Sequence, residues 1–199
     1  MIRVTEVLNY FKEPWYIDWV HRVGRTEANK IGKKAMAIGT RVDEIIKLRK
    51  QLQSDFLEVF KKEKEEVLNC LSAYRKWYEV YQPKSITPCT RLNATIEGHE
   101  VTGEPDLMVD DVLVDIKCSS KISPSYWLQV NMYRNLLANT GVDGVLYNPG
   151  KVGILRLDKV SGSFEYVIQD YDPDKVSVWC GMLRAYVYFN KEKDNGDEL

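Results

Sequence analysis

No apolar run in this 199-residue sequence approaches the roughly 18 residues of a membrane span. The first residues, MIRVTEVLNYF, lack the apolar stretch of a secretory signal. Internal repeats and low-complexity linkers are missing too. We therefore expect a cytoplasmic protein. One domain is expected, because a chain of this length can bury a substantial core.

Cysteine is sparse, and its four positions stand far apart at Cys70, Cys89, Cys118 and Cys180. They form no CxxC motif and no Cys/His cluster, which are the usual signatures of zinc and iron-sulfur sites. We therefore expect buried, reduced thiols and no iron-sulfur cluster.

An excess of charge of one sign is also missing, since the formal net charge is −1. This balance hides an asymmetry. Residues 22–50 contain nine Lys/Arg and three Asp/Glu, a local charge of +6, whereas residues 191–199 contain two Lys and four acids, a local charge of −2. A basic segment suits a phosphate backbone, and a solvated surface is the plainer alternative.

The N-terminal third is predicted to be helical. The stretch VTEVLNYF indicates a short helix, and a second helix is expected to begin near Pro14, because proline is tolerated at the first helical position. The aromatic residues here are expected in the core, with stacking on nucleic acid as the alternative. These residues are Tyr10, Phe11, Trp15, Tyr16 and Trp19. Residues 22–34, interrupted by Gly24 and Gly32, indicate a mobile connection.

Two longer helices are predicted next, at residues 35–53 and 54–81. The first has an apolar stripe at helical spacing, made of Val42, Ile45, Ile46 and Leu52. Asp43 lies beside this stripe, where it either pairs with Arg41 or Lys47 or serves as a metal ligand. The second helix is expected to start at Ser54 as its N-cap.

Residues 103–117, GEPDLMVDDVLVDIK, are predicted to form the central hairpin of the protein. With a turn at Asp110-Asp111, the paired residue numbers sum to 221, and a symmetric four-residue loop would keep that sum. Side chains alternate between the two faces of a strand. One face is therefore apolar and consists of Pro105, Leu107, Val109, Val112, Val114 and Ile116.

The opposite face of the hairpin is charged. In this register Asp106 faces Asp115, and Glu104 faces Lys117. Directly opposed like charges destabilise a sheet, so the aspartate pair must be solvated, share a proton or hold a divalent cation. Carboxylate oxygens in this arrangement suit Mg²⁺ or Mn²⁺, and a hydrated polar face is the plainer alternative.

The elements around the hairpin complete the prediction. A strand is expected at residues 86–96 with a turn at Gly98-His99, and a helix from Ser123-Pro124 to about Asn139. Gln129 and Tyr133 fall four residues apart on one face of that helix.

Three further strands are expected at residues 143–147, 152–157 and 164–169. A closing helix follows from Asp172. Its Val178, Trp179, Leu183, Tyr186 and Val187 are expected to cover the sheet. The predicted fold is a mixed α/β unit, in which a helical part at 1–82 precedes a sheet-and-helix core at 83–190 and a flexible acidic tail at 191–199.

Pro105-Asp106, followed by Asp115-Ile116-Lys117, resembles the signature of the PD-(D/E)XK nuclease superfamily. The upstream run from Gly39 to Glu44 and the downstream Gln129-x-x-x-Tyr133 resemble flanking motifs of its RecB-like exonuclease branch. The resemblance implies a restriction-endonuclease-like core, in which a mixed central sheet is flanked by helices. It also implies a divalent metal and cleavage of DNA phosphodiesters.

The resemblance also assigns roles. Asp106, Asp115 and the carbonyl of Ile116 are implied as ligands of Mg²⁺ or Mn²⁺, and Lys117 as the group that orients or deprotonates the attacking water. Asp43 stands where this branch usually has His, so it is a further candidate ligand.

Two residues of the downstream helix are implied in support, and the hairpin register adds Glu104, which lies opposite Lys117. Gln129 and Tyr133 would help to hold the site and the DNA. Glu104 would fix the direction of Lys117 or bind the ion through water.

The sequence therefore predicts a divalent-metal-dependent DNA nuclease, more specifically an exonuclease that acts on ends or single strands. Its size and this resemblance fit DNA recombination, repair or phage and viral DNA processing. One alternative is a catalytically silent module that binds DNA or a recombination partner. A second is an α/β interaction protein in which the hairpin pattern is coincidental.

Overall fold

The computed structural model describes residues 1–48, 63–140 and 147–196. The helices of these residues are α1 (Val4–Tyr10), α2 (Pro14–Val23), α3 (Arg25–Leu48), α4 (Glu65–Tyr81), α5 (Pro124–Thr140) and α6 (Pro173–Gly196). The strands are β1 (Ile2–Arg3), β2 (Ile86–Pro88), β3 (Leu92–Ile96), β4 (His99–Gly103), β5 (Leu107–Val109), β6 (Val112–Lys117), β7 (Lys151–Leu157) and β8 (Phe164–Asp170). The predicted mixed α/β class with an N-terminal helical part is confirmed.

The main sheet has five strands in the order β2-β5-β6-β7-β8. Strands β6 and β7 are parallel, and the other neighbouring pairs are antiparallel. A smaller sheet has the order β1-β4-β3. Strand β6 therefore lies in the middle of the main sheet, where both of its faces can be covered by helices.

Two apolar cores lie on opposite faces of β6. Val114 packs in the core that includes Trp77 of α4 and Val42 of α3. Leu113, the preceding residue, packs in the core with Met132 of α5 and Trp179 of α6. Because adjacent strand residues point to opposite faces, β6 is held between α3 and α4 on one side and α5 on the other.

The predicted hairpin register is confirmed. Leu107 pairs with Val114 and Val109 pairs with Val112, so each pair sums to 221. Asp110 occupies the two-residue turn with a φ of 49°, and its Oδ1 accepts a hydrogen bond of 2.9 Å from the Ser85 amide. The ladder stops at Leu107, which leaves residues 104–106 outside the sheet.

The N-terminal part differs from prediction in two ways. Helix α3 already begins at Arg25, so a mobile connection at 22–34 is wrong. Gly24, with a φ of 84°, ends α2, whereas Gly32 stays within the helix. A glycine inside a helix destabilises it by about 1 kcal/mol relative to alanine. The helix-forming residues around Gly32 offset this cost. The expected burial of the aromatic residues is also wrong for α2, because none of its residues is buried.

Three other boundaries are corrected. Lys64 has an extended backbone (φ −64°, ψ 147°), so α4 begins at Glu65 instead of continuing from Ser54. The expected strand at 86–96 is two strands in different sheets, because the chain leaves the main sheet after Pro88. The turn expected at Gly98-His99 lies one residue earlier, since His99 already pairs with Ile96.

The C-terminal elements agree in part. Strands β7 and β8 lie where they were expected, and helix α6 covers the expected residues but continues to Gly196, into the predicted acidic tail. Helix α6 packs on α1 and α5 and shares an apolar core with Leu113 of the main sheet. Trp179 and Leu183 are fully buried, while Val178 is exposed.

Three sequence-based predictions concern residues outside the described ranges. They are the end of the first long helix near Leu52, the Ser54 cap and most of the strand at 143–147. Among the helices that the structure describes, none has both the length and the apolar character needed to cross a bilayer.

Gly103 provides a test of how tightly α5 packs on β4. A Cβ atom at this position would lie 2.6 Å from Cε1 of Tyr133, a buried ring that has little room to shift. We expect Gly103→Ala to lower the free energy of unfolding by about 1–3 kcal/mol, measured by urea denaturation. The matched control is Gly32→Ala, which has open space around it and should raise stability by about 0.5–1 kcal/mol. Equal stability of Gly103→Ala and wild type would contradict this packing.

Candidate active site

The predicted site residues lie around one cavity of about 580 Å³. Helix α3 contributes Asp43, the segment before β5 contributes Glu104 and Asp106, and helix α5 contributes Gln129 and Tyr133. The end of β6 adds the remaining three, which are Asp115, Ile116 and Lys117. Residues from four separate parts of the chain thus meet at the edge of the main sheet.

Asp115 is held by a hydrogen-bonded group from β6 and α5. Its side chain is only 2% exposed, and Lys117 Nζ lies 2.8 Å from its Oδ2. Gln129 Nε2 donates to Asp115 Oδ1 at 3.2 Å and to the Tyr133 hydroxyl at 2.9 Å. Lys117 Nζ also donates to Gln129 Oε1 at 3.0 Å. Gln129 therefore links the carboxylate, the ammonium and the phenol, as helical i, i+4 spacing allows for Gln129 and Tyr133.

Asp106 approaches β6 through the backbone. Its Oδ2 accepts a hydrogen bond of 2.6 Å from the Ile116 amide. Its own carbonyl accepts one of 3.0 Å from the Cys89 amide. These contacts hold Asp106 beside Asp115, although Asp106 itself is not part of the β5–β6 ladder.

Lys47 also belongs to the site, although the sequence predicted only its pairing with Asp43. Its Nζ lies 3.1 Å from Asp43 Oδ2, 3.3 Å from Glu104 Oε1 and 3.8 Å from Asp106 Oδ1. The i, i+4 spacing of Asp43 and Lys47 predicts the first of these contacts. The other two join residues that are far apart in the sequence, so they depend on the tertiary structure. Glu104 also pairs with Arg91 at 3.2 Å, so the expected pairing of Glu104 with Lys117 is wrong.

Burial and mutual repulsion set the ionisation of the acids. Desolvation, reinforced by Asp115 and Asp43, raises the pKa of Asp106 well above its usual range. Desolvation also raises the pKa of Asp115, although Lys117 acts in the opposite direction. Burial therefore opposes the charged form of both carboxylates, and a further positive charge would favour that form.

The basic and phenolic groups keep their protons. Burial acts to lower the pKa of Lys117, but the charges of Asp115 and Asp106 outweigh it and raise this pKa. The pKa of Lys47 is raised in the same way, with Asp106 and Asp43 outweighing burial. Desolvation, together with the charge of Asp115, raises the pKa of Tyr133. Both lysines are thus ammonium ions, and Tyr133 is a neutral phenol.

The chemistry of the donor set fits a divalent cation. Asp43 Oδ1 is a buried oxygen that accepts no hydrogen bond from the residues described, whereas Asp115 Oδ2 is paired with Lys117. Hard carboxylate oxygens are the ligands that Mg²⁺ and Mn²⁺ prefer. Within the described ranges, no three acidic, His or Cys side chains already converge as a metal site. Lys47 pairs with Asp43 and Asp106, so a metal ion held by these two acids would compete with its ammonium group.

Lys47 is expected to stabilise the fold in the absence of metal. Its side chain is 20% exposed, and removal of its charge would leave three acids with one positive partner fewer. We expect Lys47→Gln to lose about 1–3 kcal/mol of unfolding free energy in EDTA, measured by urea denaturation. Arg91→Gln is the control, because Arg91 is 62% exposed and its loss should cost less than about 1 kcal/mol. Equal losses in the two variants would contradict a special role for Lys47.

Comparisons with known proteins give resemblance only at the level of solved structures. No protein-family model matches the sequence, and no curated protein matches it. The alkaline exonuclease LHK-Exo from Laribacter hongkongensis aligns over 98% of this chain and 93% of its own, with 13% identity and a TM-score of 0.42. A candidate exonuclease from Eubacterium rectale aligns over 81% and 68%, with 15% identity and a TM-score of 0.49. The protein SSO0001 aligns over 94% and 75%, with 10% identity and a TM-score of 0.48.

Proposed function

We propose that this protein is a divalent-metal-dependent nuclease that hydrolyses phosphodiester bonds in DNA, and that it acts as an exonuclease. One observation carries the proposal: Asp106, Asp115 and Lys117 meet in one cavity, where Asp115 is 2% exposed and its Oδ2 lies 2.8 Å from Lys117 Nζ. Lys47 and Lys117 offset part of the cost of placing acids side by side away from water, and a divalent cation would supply the positive charge that is still lacking.

Asp106 and Asp115 would hold Mg²⁺ or Mn²⁺, with Asp43 and the Ile116 carbonyl as further ligands. When bound, such an ion supplies a Lewis acid for the phosphoryl oxygens and lowers the pKa of coordinated water. The two carboxylates bind in their charged form, since the cation offsets the repulsion between them.

Lys117 would act as a donor. The ammonium form, which the charges of Asp115 and Asp106 favour in the metal-free protein, can donate to an oxygen of the scissile phosphate and stabilise the charge that develops there. Gln129 fixes the direction of this ammonium, since its Oε1 accepts from Lys117 while its Nε2 donates to Asp115. Tyr133 in turn fixes Gln129. Glu104 acts more remotely, because it orients Lys47.

The motifs at 39–44, 105–117 and 129–133 support membership of the PD-(D/E)XK superfamily and its RecB-like branch as part of this proposal. Their order along the chain is that of the family, and their residues share one cavity. A role in DNA recombination or repair would follow, inside the cell.

The test is incubation of the purified protein with end-labelled DNA in Mn²⁺, in Mg²⁺ and in EDTA. We expect progressive release of the label with either metal and none in EDTA. Intact DNA under all three conditions would refute the nuclease proposal.

The contacts of Lys47 favour a second candidate, a catalytically silent module that binds DNA. An ammonium among Asp43, Glu104 and Asp106 neutralises these acids without any metal. This candidate predicts salt-sensitive DNA binding with no turnover in the same assay.

A further inference from the structure

Helix α2 displays aromatic side chains that it does not bury. Three of its ten residues are aromatic, yet none of the ten lies in a core. Trp15 is 46% exposed, and both Trp15 and Tyr16 line the cavity that also contains Asp106 and Asp115. A single exposed aromatic residue is ordinary, but here two adjacent rings form a wall of the candidate active site.

Each of these two rings has an ammonium group over its face. Lys121 Nζ lies 4.6 Å from the centroid of the Trp15 ring, and Lys12 Nζ lies 5.2 Å from that of Tyr16. Ammonium groups in this position are attracted to the ring. They also place positive charge beside the acidic floor of the cavity, where a phosphate backbone needs it.

Trp15 is held in place by the residue that caps its own helix. Glu13 accepts hydrogen bonds from the Trp15 indole N–H and from the Ser123 hydroxyl. Burial acts to raise the pKa of Glu13, but the hydrogen bonds from Ser123 and Trp15 outweigh it, and this pKa is lowered. Glu13 therefore stays charged and ties α2 to the start of α5, which fixes the indole beside the cavity.

We propose that Trp15 and Tyr16 form a base-stacking wall and that the substrate reaches the site as single-stranded DNA. This inference rests on the nuclease function proposed above. Aromatic rings combined with basic side chains are the means by which proteins bind single strands without sequence preference. The faces of unpaired bases are free to stack on Trp15 and Tyr16, whereas those of a duplex are covered by neighbouring base pairs everywhere except at its two ends.

The size of the cavity supports the same substrate. Its volume of about 580 Å³ falls within the range of pockets that hold small organic molecules, about 300–1,000 Å³. It therefore has room for a nucleotide of one strand. A base on the wall places the adjoining phosphate toward Asp106, Asp115 and Lys117, which line the same cavity.

The experiment compares the affinities of wild type, Trp15→Leu and Ile17→Ala for two DNAs. The probes are a fluorescein-labelled single strand and a blunt duplex of the same sequence, measured by anisotropy in EDTA at fixed salt. Ile17 is the matched control, since it lies on the same helix with the same 46% exposure but outside the cavity lining.

Trp15→Leu should weaken binding of the single strand about 5- to 150-fold, the range for loss of one stacked base. Its binding of the duplex should change less than about twofold, and Ile17→Ala should leave both unchanged. Equal losses on the two DNAs, or no loss on the single strand, would overturn the inference. If Trp15→Leu does not fold, a single strand with 2-aminopurine at its end tests the inference with the wild-type protein. Stacking should quench the 2-aminopurine fluorescence, and unchanged fluorescence would overturn the inference.

Cleavage of the same two DNAs by wild type in Mn²⁺ separates this inference from the nuclease proposal. Failure to cut either DNA would refute the nuclease proposal, whereas the stacking measurements in EDTA would still stand. Efficient cutting combined with unchanged binding by Trp15→Leu would refute the stacking wall alone.

Discussion

Asp115→Asn is expected to lower the rate of DNA hydrolysis by about 10³-fold, with little effect on the fold. Asn keeps the shape of the side chain but removes the charge that a divalent cation needs, and loss of one such electrostatic group costs about this much in catalysis. Without metal, the variant should keep the fold but be less stable than wild type, because Asn leaves the Lys117 ammonium without the carboxylate oxygen that lies 2.8 Å away.

Thermal denaturation with and without Mn²⁺ measures the stability of Asp115→Asn and its stabilisation by the metal. At a Mn²⁺ concentration of 100 times its dissociation constant, the wild type should gain about 2.7 kcal/mol, and Asp115→Asn should gain far less. Asp111→Asn is the control, since Asp111 is exposed in the turn of the same hairpin. Full activity of Asp115→Asn, or an equal gain from Mn²⁺ in both proteins, would refute the assignment of Asp115.

Lys117→Met is expected to reduce the turnover rate by about 10²- to 10³-fold while metal binding is retained. Methionine keeps the length of the side chain but cannot donate to a phosphate oxygen, which corresponds to the loss of one preorganised donor. The variant also leaves Asp115 without its nearest positive charge, which lies 2.8 Å away in the wild type. Mn²⁺ should therefore raise its melting temperature by more than that of the wild type, because the ion now supplies the missing charge.

The control for Lys117 is Lys151→Met on the neighbouring strand β7. Lys151 also forms an ion pair of 2.8 Å, with Asp170, but its side chain is 58% exposed, so its loss should have little effect on activity or stability. Turnover by Lys117→Met at the wild-type rate would remove Lys117 from the mechanism. A smaller response to Mn²⁺ than that of wild type would contradict its role as a neighbouring charge.

Local patterns predicted the hairpin in detail. Apolar residues at every second position of each strand set one face of the hairpin, and a shift of one residue would turn Asp106, Asp115 and Lys117 toward that core. The register with Leu107 opposite Val114 therefore followed from the sequence. The i, i+4 relation of Gln129 and Tyr133 is equally local, and these side chains do share a hydrogen bond.

The sequence predicted less about contacts between segments that are far apart in the chain. Periodicity identifies an apolar or aromatic helix face but not what will cover it. Trp15 and Tyr16 look like core residues in the sequence, yet α2 lies beside a cavity and leaves them accessible. Lys47 likewise meets Glu104 and Asp106 only because α3 packs against the main sheet next to the end of β4.

The sequence by itself determined the mixed α/β class, the hairpin register and the residues that could form a site, because these depend on the alternation of side chains along each element. Tertiary structure decided which charges surround each acid, which side chains lose contact with water and which aromatic rings remain exposed. Those properties depend on distances between residues far apart in the chain, and electrostatic energies change steeply with such distances and with burial. Pairing of Glu104 with Lys47 and Arg91, in place of Lys117, is the clearest case.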